Sequence, residues 1–300
     1  MPTTLVHTKN LDKFFGKQQV LNKVDLVLEP GTMMALLGHN GAGKTTFMKT
    51  LLGLLKCDSG SVSVLGDQPG KHNHQVGYVP ENVSFYPALT GTETLRFFVK
   101  LKGVKGSAIN SLVNELLHRV DLWEFKDKPV KTYSKGMRQR LGLAQALIGE
   151  PRLLILDEPT VGLDPIATLE FFKLLKKQMA NGCGILICTH VLPGLEKYLD
   201  AVTILHRGKV LVSGSVDALV SQASLPLTIQ TQGLNGSLRE TSGFQTYLHK
   251  TESTRLEVPP EEKLTVLKQL MQHPELQDVS VSTPSLPELY QHFFDQGERL

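Results

Sequence analysis

The stretch Gly38-His39-Asn40-Gly41-Ala42-Gly43-Lys44-Thr45 decides the fold. It follows an apolar run, Met33-Met34-Ala35-Leu36-Leu37. It precedes a segment, residues 46–55, whose apolar members Phe47, Leu51, Leu54 and Leu55 recur at helical spacing. Strand, glycine-rich turn and helix, in that order, are what a phosphate-binding loop requires. The glycines let backbone N–H groups close around an anion, and the helix N-terminus adds positive partial charge. On this reading Lys44 reaches the β and γ phosphates of a nucleotide, and the Thr45 hydroxyl holds Mg²⁺. A glycine-rich turn that matched the pattern by chance would have no reason to sit between a strand and a helix.

The chain has 300 residues, which suggests one or two domains. A hydrophobic fraction of 41% is enough for a real core. The net charge of +3 does not single out nucleic acid as a partner. The three cysteines, Cys57, Cys183 and Cys188, have no metal-like spacing, and so sparse a set fits a reducing compartment. The beginning, Met-Pro-Thr-Thr-Leu-Val-His-Thr, lacks the basic start and apolar core of a signal peptide. No run approaches the ~18 apolar residues that span a bilayer. Work at a membrane would therefore need a partner to hold the chain there.

Hydrophobic periodicity predicts short strands at Leu5-Val6-His7 and Val24-Asp25-Leu26-Val27-Leu28, with a turn at Lys13-Phe14-Phe15-Gly16-Lys17 between them. Ser61-Val62-Ser63-Val64-Leu65 reads as a further strand. Residues 90–150 change character. Thr90-Gly91-Thr92-Glu93 has capping-box spacing, and the apolar residues that follow keep helical period through Leu112, Leu116, Leu141, Leu143 and Ile148. This is a helical insertion in an α/β domain. Leu153-Leu154-Ile155-Leu156 and Ile185-Leu186-Ile187-Cys188 are solid apolar runs of strand length, the pattern of buried parallel strands. A helix over residues 166–179 joins them, and Val202-Thr203-Ile204-Leu205 with Val210-Leu211-Val212 forms a hairpin around Arg207-Gly208. Beyond about residue 215 the sequence becomes more polar. Strands at residues 227–230, 255–258 and around Val279 and Val281, with helices at residues 261–272 and after Ser285-Leu286-Pro287-Glu288, describe a small α+β appendage over residues 216–300.

The second half of a nucleotide site lies downstream. Asp157-Glu158 closes an apolar run, where a P-loop protein carries the acidic partner of Mg²⁺. Asp157 would hold the metal, directly or through water, and Glu158 would act on the attacking water as general base or as the group that orients it. Tyr133-Ser134-Lys135-Gly136-Met137-Arg138-Gln139-Arg140 opens a helical segment with a good N-cap and a second possible anion site. His190 follows a buried strand, where a side chain could meet a γ phosphate.

The order of Gly38–Thr45, Ser134–Met137, Asp157-Glu158, Gly162-Leu163-Asp164 and Thr189-His190 resembles the nucleotide-binding subunit of an ABC transporter over residues 1–215. The resemblance implies an α/β fold: a P-loop ABC ATPase core with an antiparallel β subdomain and a helical signature subdomain. It implies an ATPase acting with ATP and Mg²⁺, and nucleotide contacts from His39, Asn40, Gly41, Ala42 and Thr46 beside Gly38, Gly43, Lys44 and Thr45. Phe15 matches the aromatic that stacks on adenine. Ser134 and Gly136 match the signature loop, which binds the γ phosphate held by a second copy, and Asp164 matches the loop that couples the two sites. His190 matches the switch histidine. Partners so implied are a second copy in a head-to-tail ATP sandwich and an integral-membrane permease, which would hold the subunit on the cytoplasmic side of the plasma membrane. No nucleic acid is implied.

Two departures from the family pattern stand out. The signature reads Tyr133-Ser134-Lys135-Gly136-Met137 where LSGGQ is usual, so Lys135 adds a cation near the phosphates and Met137 replaces glutamine. Gly77-Tyr78-Val79-Pro80-Glu81-Asn82 occupies the place of the Q-loop, with Glu81 for glutamine. That puts a carboxylate near the Mg²⁺ site unless it is protonated or turned away. The same loop would line the groove that receives the permease, with Phe85-Tyr86-Pro87 beside it. Residues 80–87, 131–140 and 190–194 are further similar to the ATPase subunits that serve copper-site maturation of nitrous oxide reductase, where the cargo is a copper or sulfur species and a periplasmic accessory protein takes part. The alternatives are the ATPase of another small exporter, a soluble ABC ATPase, or a P-loop kinase. The last leaves the signature and His190 without a role. His72 and His74 form a polar pair with no third ligand, so no transition-metal site is assigned.

Overall fold

The computed structural model describes residues 4–190, 194–234, 244–248 and 254–298. Val191-Leu192-Pro193, part of a stretch singled out in the sequence, lies outside the described residues, as do the first three residues. The chain forms two compact units, Met1–Gly214 and Ser215–Leu300. The division falls one residue before the change in composition.

In chain order the first unit carries β1 (Val6–Phe15), β2 (Gln18–Leu28), β3 (Met33–Leu37), α1 (Lys44–Leu51), β4 (Ser59–Val64), β5 (Val76–Val79) and α2 (Gly91–Leu101). Then follow α3 (Ala108–Arg119), α4 (Lys135–Ala146), β6 (Leu153–Asp157), α5 (Pro165–Ala180), β7 (Gly184–Thr189), β8 (Ala201–His206) and β9 (Lys209–Gly214). The main sheet has the order β5-β6-β7-β3-β8-β9. Its first five strands are parallel and β9 is antiparallel to β8. Every residue of β3 and β7 is buried, as is β6 up to Asp157. Continuous apolar runs are what strands covered on both faces require. Because β3, β6 and β7 run the same way, the loop after Leu37, the Asp157-Glu158 pair and Thr189-His190 all emerge at one edge of the sheet. Open parallel sheets bind their ligands at that edge.

The antiparallel sheet β2-β1-β4 is longer than the sequence pattern suggested. The β1–β2 pairing shifts register between Thr8 and Leu11, between Leu11 and Lys13, and between Lys13 and Phe14, and Asn10 takes a left-handed φ of 48°. Bulges of this kind interrupt the two-residue alternation that marks a strand. Phe14 and Phe15, expected in a turn, therefore close β1, and the turn is Gly16-Lys17. Helix α1 stops at Leu51 rather than at residue 55, because the chain turns at Gly53 with φ 74°. A methyl group on Gly53 would lie 2.8 Å from the backbone of Gly70. Strand β5 was not legible at all. It has four residues, one of them Gly77, where a methyl group would lie 2.6 Å from the Ala146 carbonyl oxygen.

Helix α2 opens with the expected capping box: the Glu93 N–H donates to Thr90 Oγ1 at 3.1 Å, and the Thr90 N–H donates to Glu93 Oε2 at 2.8 Å. Among the described residues no helix is long and apolar enough to cross a membrane.

The second unit carries α6 (Val216–Ala223), β10 (Leu227–Gln232), β11 (Arg255–Val258), α7 (Lys263–Leu270), β12 (Asp278–Ser282) and α8 (Leu286–Glu298). Its sheet, β11-β10-β12, is antiparallel, and Ile229, Leu256, Val258, Val266 and Leu270 form its core with Phe244. Helix α6, capped by Ser215, was missed because it buries only Leu219 and Ala223. Helix α7 is shorter than expected, since Pro260–Glu262 forms a separate 3₁₀ turn before it. At the start of α8 the Ser285 N–H donates to Glu288 Oε2 at 2.7 Å, so half of the expected capping box is present.

Candidate nucleotide site

The loop between β3 and α1 is built by glycines that nothing larger could replace. Gly43 precedes the helix with φ 110°, and a methyl group there would lie 2.9 Å from the Val20 carbonyl oxygen. On Gly38 it would lie 2.5 Å from the Leu205 carbonyl oxygen. The loop is thus wedged between the β1–β2 hairpin and the end of β8. Its shape is held by Ala42 N–H to His39 O at 3.1 Å and Gly208 N–H to Ala42 O at 2.9 Å. Helix α1 begins at Lys44 itself, so its N-terminus faces the cavity in front of the loop. That cavity has a volume of about 190 Å³. The loop residues His39, Asn40, Gly41, Gly43, Lys44, Thr45 and Thr46 line it, together with Val20, Glu81, Asp157 and Glu158.

Lys44 is only 7% exposed. Its ammonium donates to Gly38 O at 2.5 Å and to His39 O at 3.3 Å, and lies 3.8 Å from Glu158 Oε1. The cation is therefore held by two loop carbonyls and one carboxylate. Glu158, also 7% exposed, is fixed from several sides. Its N–H donates to Cys188 O at 2.8 Å, which ties the residue after β6 to β7. Thr189 Oγ1 donates to Glu158 Oε2 at 2.7 Å, and the His190 N–H reaches the same oxygen at 3.3 Å. His190 Nδ1 lies 2.7 Å from Glu158 Oε1. An ionised carboxylate only accepts, so Nδ1 carries the proton. Glu158 reaches this position with a left-handed φ of 45°, a conformation that costs a non-glycine residue about 1–2 kcal/mol.

Asp157 behaves differently. Burial, then the charges of Glu158 and Glu81, push its carboxyl up to about 6, and Lys44 and Lys49 offset only part of this. Glu81 is therefore not turned away: it lines the cavity and loads the same corner with negative charge.

The structure brings together Lys44, Thr45, Thr46, Glu81, Asp157, Glu158 and His190. It does not bring Phe15, Ser134, Lys135, Gly136, Met137 or Asp164 to this cavity within one chain. Phe15 is half exposed at the end of β1, with the Lys13 ammonium 5.6 Å from its ring centre. Ser134 caps α4 by accepting the Met137 N–H at 3.1 Å, and Asp164 caps α5 by accepting the Ala167 N–H at 2.8 Å. Two residues, Val20 and His206, escaped the sequence reading, and a third was named without its role. Thr189, named in the sequence only beside His190 and without a role, is fully buried and bonds Glu158. Val20 reaches the cavity from the irregular hairpin, where no pattern marks it. His206 lies at the end of β8, 5% exposed, with Nδ1 3.1 Å from His39 Nε2. Nothing in its neighbourhood of sequence indicates that pairing. His72 and His74 lie with ring centres 6.0 Å apart, and among the described residues no group of three metal-ligating side chains gathers.

Three comparisons with known proteins bear on this site. The family model described as "ABC transporter" matches residues 21–161. An uncharacterized ABC transporter ATP-binding protein of Bacillus subtilis is 38% identical over 78% of this chain and 78% of its own length. The bacitracin transport ATP-binding protein of Enterococcus faecalis is 40% identical over 72% of this chain and 70% of its own length. The Nod factor export ATP-binding protein I of Burkholderia lata is 37% identical over 73% and 74%. Among solved structures, one titled as the ATP binding subunit of an ABC transporter is 35% identical, with a TM-score of 0.65, over 73% of this chain and 93% of its own.

The raised Asp157 carboxyl gives a stability prediction. Its folded value of about 6 lies above the ordinary 3.8, so the folded state binds more protons between those values and loses stability as pH rises through them. In nucleotide-free, Mg²⁺-free protein, Asp157→Asn should raise Tm, with a gain absent near pH 4 that grows through pH 5 and levels off above about pH 6. Thermal melts of both proteins across this range check it, and a gain independent of pH would contradict the assignment.

Proposed function

The chain belongs to the ATP-binding subunits of ABC transporters, which hydrolyse ATP, and we propose that it is the motor half of an exporter whose membrane-crossing part is a separate permease. The observation that carries the reading is the Glu158 carboxylate, 3.8 Å from the Lys44 ammonium and hydrogen-bonded to His190 and Thr189 beside the P-loop. ATP is the substrate. Lys44 exchanges its two loop carbonyls for β and γ phosphate oxygens, and the backbone N–H groups of the loop and the N-terminus of α1 surround the phosphates. Phe15, exposed at the hairpin end, offers a ring face to adenine. Glu158 accepts the proton of the attacking water, and His190 keeps that carboxylate aimed. The rest of the rate enhancement comes from positioning and charge stabilisation.

Thr45, Asp157 and Glu81 present a hydroxyl and two carboxylates to one cavity, an all-oxygen donor set that fits Mg²⁺. The ion, when bound, neutralises charge on the β and γ phosphates. Asp157 and Glu81 then carry the negative charge that balances it, and the load that raises the Asp157 carboxyl is relieved.

Ser134, Lys135, Gly136, Met137 and Asp164 serve the site of a second copy arranged head to tail. ATP closes this dimer and hydrolysis opens it. The loop of residues 77–82, with Phe85 and the exposed Tyr86, receives the permease, which holds the subunit on the cytoplasmic side of the membrane. The names of relatives, bacitracin transport and Nod factor export, favour export of a small molecule. The narrower reading, copper-site maturation of nitrous oxide reductase with a periplasmic accessory protein, rests on residues 80–87 and 131–140 alone among described stretches. Deleting the subunit in its host and measuring copper in purified nitrous oxide reductase separates the two. Unchanged copper content ends the narrower reading and leaves the exporter.

Glu158→Gln keeps the shape and hydrogen-bonding capacity of the side chain but not its basicity. It should bind ATP with little change, lower kcat by about 10²-fold or more, and accumulate as an ATP-bound dimer on size-exclusion chromatography. Turnover close to that of the wild type would remove Glu158 as the base. Ser134→Arg should leave ATP binding by the isolated subunit intact and abolish turnover. Steady hydrolysis by that variant would rule out the site shared between two copies.

A further inference from the structure

Lys135 stands in the signature loop where family members usually carry glycine, and its side chain, though exposed, is laid against a neighbouring loop. It lies across Gly162, in the loop that leads to Asp164. A methyl group on Gly162 would lie 2.7 Å from the Lys135 Nζ, 3.3 Å from its Cδ and 3.5 Å from its Cε. Gly162 takes a left-handed φ of 72°, so its bare Cα face is turned to this stem. Among the described residues Lys135 has no side-chain hydrogen bond or ion pair, so its Nζ, Cε and Cδ lie over Gly162 as a packing contact without a charge partner.

This contact is one of three along a single seam. A methyl group on Gly136 would lie 3.3 Å from Ala167 Cβ and 3.8 Å from Leu163 Cδ2. One turn further on, Arg140 Nη1 lies 3.6 Å from Glu170 Oε2. The first turns of α4 and α5 are therefore packed together, with Ser134 capping one and Asp164 the other. Gly136 allows the close approach. Arg140–Glu170 is a surface pair, partly exposed on both sides, and contributes little by itself. The Lys135 side chain reaches from the signature loop onto the glycine of the neighbouring loop.

We propose that Lys135 is a positioning residue that clamps the loop of residues 162–164 to the N-terminus of α4, so that both elements reach the second copy's nucleotide as one body. This rests on the two-copy reading of the site. Without the stem, Gly162 regains backbone freedom, and Asp164 and Ser134 must be ordered separately when the dimer closes. The cost falls on closure, not on nucleotide binding by one chain, whose cavity Lys135 does not line.

The test uses the full chain and measures ATP hydrolysis, ATP affinity of the monomer, and ATP-driven dimer formation in the Glu158→Gln background. Lys135→Ala should lower kcat by about 2- to 30-fold, the range for loss of one coupling contact, and weaken dimer formation. Monomer affinity should stay within about twofold. Lys135→Met, which keeps the stem and removes the charge, should restore most of what Lys135→Ala loses. If Lys135→Met is as impaired as Lys135→Ala, the ammonium acts on phosphate directly and the clamp is wrong. Wild-type hydrolysis by Lys135→Ala overturns it as well. Ser134→Arg separates the two levels. If it is inactive while Lys135→Ala is normal, only the clamp fails; if it too is active, the two-copy reading fails.

Discussion

One carboxylate organises the functional edge of the sheet. Glu158 leaves the end of β6 in a left-handed conformation, bonds through its N–H to β7, and receives hydrogen bonds from Thr189 and His190 at the end of that strand. On its other side lies Lys44, at the head of α1. Three segments far apart in sequence are joined through two oxygen atoms. The ion pair is almost fully buried, so losing one partner leaves an uncompensated charge, at a cost of about 3–5 kcal/mol. The hydrogen bonds to both oxygens make burial tolerable, and they place the carboxylate where a water on a γ phosphate would need it.

Asp157, the preceding residue, points to the opposite situation. It shares the corner with Glu158 and Glu81, and Lys44 and Lys49 offset only part of their effect. A glutamine at position 81 would remove one of the charges that raise its carboxyl. The replacement by Glu81 makes the nucleotide-free site more negative, and so more dependent on a cation that enters with the nucleotide. The departure from the usual family residue thus has a stated electrostatic consequence rather than being a neutral change.

Much of this was legible in the sequence, for physical reasons. The P-loop, Asp157-Glu158 and His190 each follow a strand buried on both faces, and such strands appear as unbroken apolar runs. The ends of these runs mark the functional edge. What was not legible fails the same criterion. Strand β5 is too short and contains Gly77. The β1–β2 hairpin carries bulges, so Val20 gave no sign of facing the cavity. His206 pairs with His39 only because β8 lies beside β3 in the sheet, a neighbour relation that local pattern does not contain. In the second unit, strands with clear alternation were found, while α6, with two buried residues, was not.

The signature segment is a case where local sequence was clear and its meaning was not. Ser134 reads as an N-cap, and an N-cap it is. What the sequence does not contain is that a second capped helix start, at Asp164, packs against it. Each helix N-terminus carries roughly half a positive charge, and Lys135 adds a full one. Side by side, these partial charges repel one another, and Asp164 offsets only part of them. A face with this balance is stabilised by an anion, and Ser134 and Asp164 each satisfy only one of the orphan N–H groups of their helix. The nucleotide cavity of the same chain draws on neither helix start. The two faces are thus unlike in charge, one crowded with carboxylates and one with helix starts and an ammonium.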